Sequence, residues 1–326
     1  MILAVILVGG EATTADGGVP HDVVVVGDGV AGLTAALFAA RLGLRTLVLG
    51  SGGLGGALMN TERVEDFPGF DEGISGFELG PRLQDQATNA GAELQVGEAT
   101  GLRESDGGWS VATHEGELAG RAVIVATGTR PRRLGVPGED ELEGKGISHC
   151  ANCDGPLFRG RTVGVVGGGD SALLEALELT AHEVRVVVLD REPAFRAQEA
   201  YRRRVASSDA IAERHGVAVE AIVGDGTVAA ARVRDLATDR VEDIEVAALF
   251  VHAGRERNTA WVAGALALDE GGGIRTDAWM HTEAPGVLAA GDVRSDSAGQ
   301  AITAAGDGAT AAIAAHRLLA EERDPP

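Results

Sequence analysis

Two stretches of this chain repeat one plan. Residues 22–26 (DVVVV) run into Gly27-Asp28-Gly29-Val30-Ala31-Gly32, and residues 162–166 (TVGVV) run into Gly167-Gly168-Gly169-Asp170-Ser171-Ala172. Each glycine turn leads into an Ala/Leu-rich segment that predicts a helix, to about Arg41 and about Thr180. A second apolar run follows each helix, at 46–49 and 184–189. Strand, glycine turn, helix, strand is a β-α-β unit, and hydrophobic strands of this kind belong in a parallel sheet covered on both faces.

The glycine spacing has a mechanical meaning. The first glycine permits the sharp turn, the second lets backbone approach a pyrophosphate, and the third position (Gly32 or Ala172) lets helix and strand pack closely. The helix N-terminus then faces the phosphates. One such turn is weak evidence, but two, each placed between a β-rich run and a helix, point to two bound dinucleotides. Residues 122–128 (AVIVATG) and 286–292 (GVLAAGD) predict further buried strands, the latter followed by a helix from Gln300 to about Leu319. The second β-α-β unit falls between these pieces. The expected architecture is therefore α/β, with one dinucleotide-binding domain (132–255) inserted into another (21–131 and 256–326). The stretch 128–138 (GTRPRRLGVPG) has the Pro/Gly content of a hinge.

Both cysteines of the chain, Cys150 and Cys153, lie in SHCANCDG. Two thiols at this spacing can close a small disulfide, and a following helix N-terminus lowers a thiol pKa and makes an attacking thiolate. Structural zinc is the competing use of the spacing; it wants four ligands, and there is no second cysteine pair, so no metal is expected. An inert buried pair is the other alternative. Asp154 follows directly; a carboxyl beside a thiol can shuttle the exchange proton, although an Asp before Gly also serves as a turn or N-cap residue.

Composition narrows the partners. A net charge of −21 argues against nucleic acid or an anionic membrane. Aromatics are 3%, so the core must be Ala, Val and Leu. Residues 1–8 (MILAVILV) are far short of the roughly 20 needed to span a bilayer. Residues 1–20 are read as a loosely docked N-terminal extension, and the protein as cytoplasmic.

From His21 onward the sequence resembles the low-molecular-weight thioredoxin reductases, on GDGVAG (27–32), FPGF (67–70), ATG (126–128), CANCDG (150–155), VGGGDSALLEAL (166–177), FRAQEAY (195–201), GDV (291–293) and QAITAAGDGA (300–309). The resemblance implies two Rossmann-like domains. The discontinuous one would hold FAD through Gly27, Gly29, Gly32, Thr127, Gly128, Gly291, Asp292, Gln300 and Ala301. The inserted one would hold NADH or NADPH through Gly167, Gly169, Asp170, Ser171, Ala172, Asp190 and Arg191, and carry the dithiol. By the same likeness Cys153 meets the flavin, Cys150 attacks the substrate disulfide, and Asp154 is the acid. A thioredoxin-like protein or small disulfide as substrate, a homodimer and a large domain rotation are also implied.

Three places depart from the family pattern. Gly50 stands where an acid usually holds the adenosine ribose, a loss of about 1.5–3 kcal/mol of FAD affinity. Gly299 stands where an Arg is common before Gln300. Asp190-Arg191-Glu192 replaces a basic cluster matched to the NADPH 2′-phosphate; an acid there binds the 2′-hydroxyl of NAD, so NADH is the expected donor. The other reading of Asp190 is a turn cap in a pocket that has ceased to bind nicotinamide. Three further functions remain at this level: a nicotinamide-independent dithiol oxidase using oxygen, a ferredoxin-linked enzyme, and a non-catalytic flavoprotein.

Overall fold

The computed structural model describes residues 21–52 and 55–323, so the N-terminal extension read at 1–20 lies outside the described residues. The chain forms two units. One runs to Met59, resumes over Arg63–Thr129 and again from Arg257; the other comprises Asn60–Glu62 and Arg130–Glu256.

In chain order the first unit opens with β1 (His21–Val26), α1 (Val30–Arg41), β2 (Thr46–Gly50), α2 (Gly76–Asn89) and β3 (Glu93–Val96). A meander follows: β4 (Ala99–Ser105), β5 (Gly108–Thr113) and β6 (Gly116–Val125). The connection out is a short strand, β7 (Thr129–Pro131), in the stretch whose composition reads as a hinge. The second unit contains α3 (Glu139–Leu142), β8 (Ile147–Ser148), α4 (Ala151–Asp154), β9 (Thr162–Val166), α5 (Asp170–Ala181), β10 (Arg185–Asp190), α6 (Glu199–Ala206) and β11 (Ile211–His215). It continues with β12 (Val217–Gly224), β13 (Val228–Asp235), β14 (Val241–Glu245) and β15 (Leu249–Val251). The return connection, β16 (Arg255–Arg257), pairs with β7, and the chain re-enters the first unit as β17 (Val287–Ala289) and α7 (Ala301–Arg323).

The first sheet has the order β3-β2-β1-β6-β5-β4, with β17 also on β6. Pairs β3/β2, β2/β1, β1/β6 and β6/β17 are parallel, whereas β6/β5 and β5/β4 are antiparallel. The sheet is thus mixed rather than purely parallel. The expected strand at 122–128 is the far half of β6; its first half alternates in burial because it is also the last arm of the meander. In the second unit β11-β10-β9-β15-β8 is parallel throughout, and β12-β13-β14 forms a separate antiparallel sheet. No sequence expectation covered that second sheet.

The scarcity of aromatic residues sets how the helices pack. Ala35, Ala36 and Ala39 of α1 meet Ala311, Ala312, Ala314 and Ala315 of α7 in one buried cluster. Small side chains allow the two axes to approach closely, and Gly308 marks the tightest point: a Cβ there would overlap the backbone carbonyl of Ala31. Gly306, two positions earlier on the helix, has open space.

These neighbours behave oppositely on substitution. Gly308→Ala is expected to cost about 1–3 kcal/mol through overpacking. Gly306→Ala is expected to stabilise by about 0.5–1 kcal/mol through lost unfolded-state freedom. Thermal melts of the two variants check the signs.

Candidate functional site

In each of these two sheets the expected site residues gather at the carboxyl ends of the parallel strands, where open α/β sheets hold ligands. In the first unit these are the turn after β1, the end of β2, residues 126–128 after β6, and Gly291 after β17. In the second they are the turn after β9, the end of β10, and the cysteine turn after β8.

The turn in the first unit depends on Gly27, whose φ of +119° disfavours other residues and whose Cβ would overlap the Ala126 carbonyl. Gly32 sits so close to the Gly27 carbonyl that no side chain fits. Gly29, by contrast, faces space: a Cβ there meets nothing nearer than the Gly55 carbonyl at 4.0 Å. That is the cradle a phosphate needs. Gly291 closes on the same helix, its Cβ position 2.8 Å from that of Ala31. Thr127 Oγ1 donates to the Asn258 carbonyl at 2.7 Å, and Asn258 Nδ2 donates back to the Thr127 carbonyl at 2.9 Å. The Gly128 carbonyl accepts from the Asn258 backbone at 3.0 Å. Asp292 accepts from Ser297 Oγ at 2.9 Å, and the Gly291 amide donates to Asp307. Gln300 precedes the first turn of α7, which starts at Ala301. Thus Gly27, Gly29, Gly32, Thr127, Gly128 and Gly291 gather along one edge, with Asp292 beside them. Asn258, which helps fix that edge, carries no motif signal in the sequence, whereas Asp307 lies within QAITAAGDGA (300–309) without a role being assigned to it there.

The end of β2 differs from what Gly50 alone implies. A Cβ on Gly50 would overlap Asp28 Cβ and Cγ and lie 2.5 Å from Asp28 Oδ2. Asp28, 8% exposed, already fills the place with a carboxylate, which accepts from the Gly52 amide at 3.0 Å.

The second turn is built alike. Gly167 has φ +125°, its Cβ would overlap the His252 carbonyl, and Ala172 packs against it. Gly169 has open space. Asp190, 2% exposed, points its carboxylate at Gly168, so closely that a Cβ there would overlap Oδ2. Asp190 Oδ1 accepts weakly from the Glu192 amide (3.4 Å), while the buried Oδ2 has no hydrogen-bond partner among the described residues. An orphaned buried carboxylate oxygen is costly and fits a ligand hydroxyl. Arg191 and Ser171 are exposed. Asp170 opens α5 and spends its carboxylate on Gln198, accepting from the backbone at 2.7 Å and from Nε2 at 3.1 Å. Together with the Arg196 and Ala197 amides, which donate to the Gly168 carbonyl, this ties residues 195–198 over the turn.

Cys150 and Cys153 form a disulfide across the single turn of α4. The Cys153 amide donates to Cys150 Sγ at 3.2 Å, and Ser148 Oγ accepts from the Cys150 amide at 3.2 Å. Cys153 is exposed and Cys150 half-buried, as is the adjacent Asp154. The turn is anchored from both sides. His149 Nδ1 lies 3.0 Å from the Val251 carbonyl, and His182 at the end of α5 faces Asn152 and packs over Gly155. An exposed sulfur beside a helix start is what thiol–disulfide exchange requires.

Two dinucleotide cradles and a disulfide that can be reached from solvent define a class, the nucleotide-linked disulfide oxidoreductases. Residues 21–308 match the pyridine nucleotide-disulphide oxidoreductase family. Thioredoxin reductase of Mycolicibacterium smegmatis is 40% identical, covering 93% of this chain and 97% of that protein. The crystal structure of Lactococcus lactis thioredoxin reductase superposes with a TM-score of 0.90 at 36% identity, over 92% of this chain and 99% of that one. A ferredoxin-flavin thioredoxin reductase of Clostridium acetobutylicum aligns at 23% identity and TM-score 0.53, over 94% and 99%, which speaks for the fold alone. The chain belongs to the thioredoxin reductase branch of the pyridine nucleotide-disulphide oxidoreductases.

Asp170→Ala removes both Gln198 acceptors. Amide hydrogen exchange at Gln198 is expected to quicken by about tenfold or more, the loss of a charge-assisted hydrogen bond, with the global melting temperature little changed. Unaltered exchange would show that the loop is held by its backbone bonds alone.

Proposed function

We propose that this chain reduces the disulfide of a thioredoxin-like protein, with FAD on the first turn, a nicotinamide on the second, and Cys150 and Cys153 as the working thiols. The observation that carries it is the half-exposed disulfide built into the unit that bears the second cradle. FAD, when bound, supplies the two-electron step between nicotinamide and disulfide. It would be held by Gly27, Gly29, Gly32, Thr127, Gly128, Gly291, Asp292, Gln300 and Ala301.

The chain's own chemistry is exchange. The Cys150 thiolate attacks one sulfur of the substrate disulfide; a mixed disulfide forms and one substrate thiolate leaves. The Cys153 thiolate then attacks Cys150 Sγ, releasing the second substrate thiolate and closing the 150–153 bond. Asp154 delivers the proton a leaving thiolate needs. The substrate gains two electrons and two protons, and the protein dithiol loses them.

For the nicotinamide, Asp190 favours NADH. Its orphaned Oδ2 accepts from a ribose 2′-hydroxyl, whereas a 2′-phosphate brought beside the buried carboxylate is repelled. Gly167, Gly169, Ser171 and Ala172 would hold the pyrophosphate, and Asp170 acts by tying down Gln198. Arg191, exposed and next in the chain to Asp190, would greet a phosphate, and exposed Arg196, whose amide donates to the Gly168 carbonyl, is a second cation near the turn. A cytoplasmic setting suits a dithiol that must cycle, and the family likeness supports a homodimer. No helix among the described residues is long and apolar enough to cross a membrane. The dithiol-oxidase, ferredoxin-linked and non-catalytic readings have no observation in their favour.

Cys153→Ser is expected to abolish nicotinamide-driven disulfide reduction while leaving flavin reduction by nicotinamide intact, read anaerobically by bleaching of the flavin. Full turnover in this variant would end the proposal. Asp154→Asn is expected to slow turnover by 10²–10⁴-fold, the usual yield of a positioned acid, measured in steady state. In the same anaerobic cell, NADH is expected to bleach the flavin faster than NADPH; the reverse order would overturn the assignment to Asp190.

A further inference from the structure

The two glycine turns are equivalent position by position. Gly27 and Gly167 each donate their amide to the carbonyl of the penultimate residue of the next strand, Leu49 and Leu189 respectively. Asp28 therefore corresponds to Gly168, and Gly50 to Asp190. Each unit carries one aspartate and one glycine at this pair of positions, in opposite order.

The geometry gives the reason. The space between the turn and the strand end admits a single side chain. In the second unit it is filled from the strand end, by Asp190 against Gly168; in the first it is filled from the turn, by Asp28 against Gly50. Both carboxylates are more than nine-tenths buried. A buried carboxylate between a phosphate-binding turn and the end of the neighbouring strand is placed to accept from ribose hydroxyls.

We propose that Asp28 is the ribose-binding acid of the FAD site, supplied from inside the glycine turn and making Gly50 a steric requirement rather than a lost contact. This rests on the reading that FAD occupies the first turn. The Gly52 amide, donating to Asp28 Oδ2 at 3.0 Å, holds the carboxylate in place. Asp28 therefore also sets the path of the chain leaving β2, and a test must separate that role from ligand binding.

The test compares wild type, D28A, G50E and D28G/G50E as purified holoenzymes; the double variant has glycine at 28 because a Cβ on residue 50 would lie 2.4 Å from one on residue 28. FAD release on dilution is followed by flavin fluorescence, and each flavin-stripped protein is melted. D28A is expected to weaken FAD by about tenfold or more, the range for a hydrogen bond to a charged group. G50E alone places two acids in one slot and is expected to bind FAD no better than D28A. D28G/G50E returns the acid from the other side, with glycine opposite it as Gly168 lies opposite Asp190, and is expected to recover affinity to within about threefold of wild type. A D28A enzyme that keeps wild-type FAD affinity overturns the proposal. So does a D28A defect that the double variant fails to rescue while its flavin-free melt is lowered to match, since Asp28 would then be structural. A wild-type protein that holds no FAD defeats the underlying reading of the first turn instead.

Discussion

The site architecture depends on one close approach, made twice. At Gly27 and Gly167 the backbone turns so tightly that the next helix begins beside the carbonyl of a neighbouring strand end, Ala126 in one unit and His252 in the other. A Cβ at either position would push the helix N-terminus away from the crest of its sheet. Because the strands are parallel, everything the chemistry needs collects at that crest: the helix dipole, the open glycine and the buried acid. The cysteine turn uses the same crest in the second unit, following β8 as the glycine turn follows β9. Fold and site thus share one cause.

Much of this is legible in the sequence because it is local. A β-branched run, a glycine turn and an Ala/Leu segment fix strand, turn and helix with little help from the rest of the chain, and β1, α1, β9 and α5 start and end close to where the pattern places them. The two cysteines are legible for the same reason. What stays hidden is non-local. The β4–β6 meander and the β12–β14 sheet include half-exposed strands whose alternation is diluted by charged residues, so neither a period of two nor an apolar run stands out. Asn258 is silent because its partner, Thr127, is far away in sequence.

Gly50 and Asp28 show a subtler failure. Comparing single positions with a family pattern registers a missing acid at 50 and passes over an extra acid at 28. The quantity under physical constraint is neither position alone but the contents of one slot, which accepts one carboxylate and leaves glycine as its companion. Asp190 and Gly168 give the same rule in the opposite order. The estimate of weakened FAD affinity drawn from Gly50 by itself therefore omits the residue that fills the space.

The either-or character of the slot has a further consequence for how such a site can change. Passing from one arrangement to the other takes two substitutions. An intermediate with acids at both positions must fit two side chains where a Cβ on residue 50 would by itself lie 2.5 Å from the Asp28 carboxylate oxygen, and must bury two like charges together. An intermediate with glycine at both fits without strain and forfeits only the ribose contact, a loss of about 1.5–3 kcal/mol that the many remaining contacts of a large cofactor can tolerate. The open path runs through the empty slot. Glycine at either position is accordingly the footprint of the carboxylate opposite, and reading one without the other inverts its meaning.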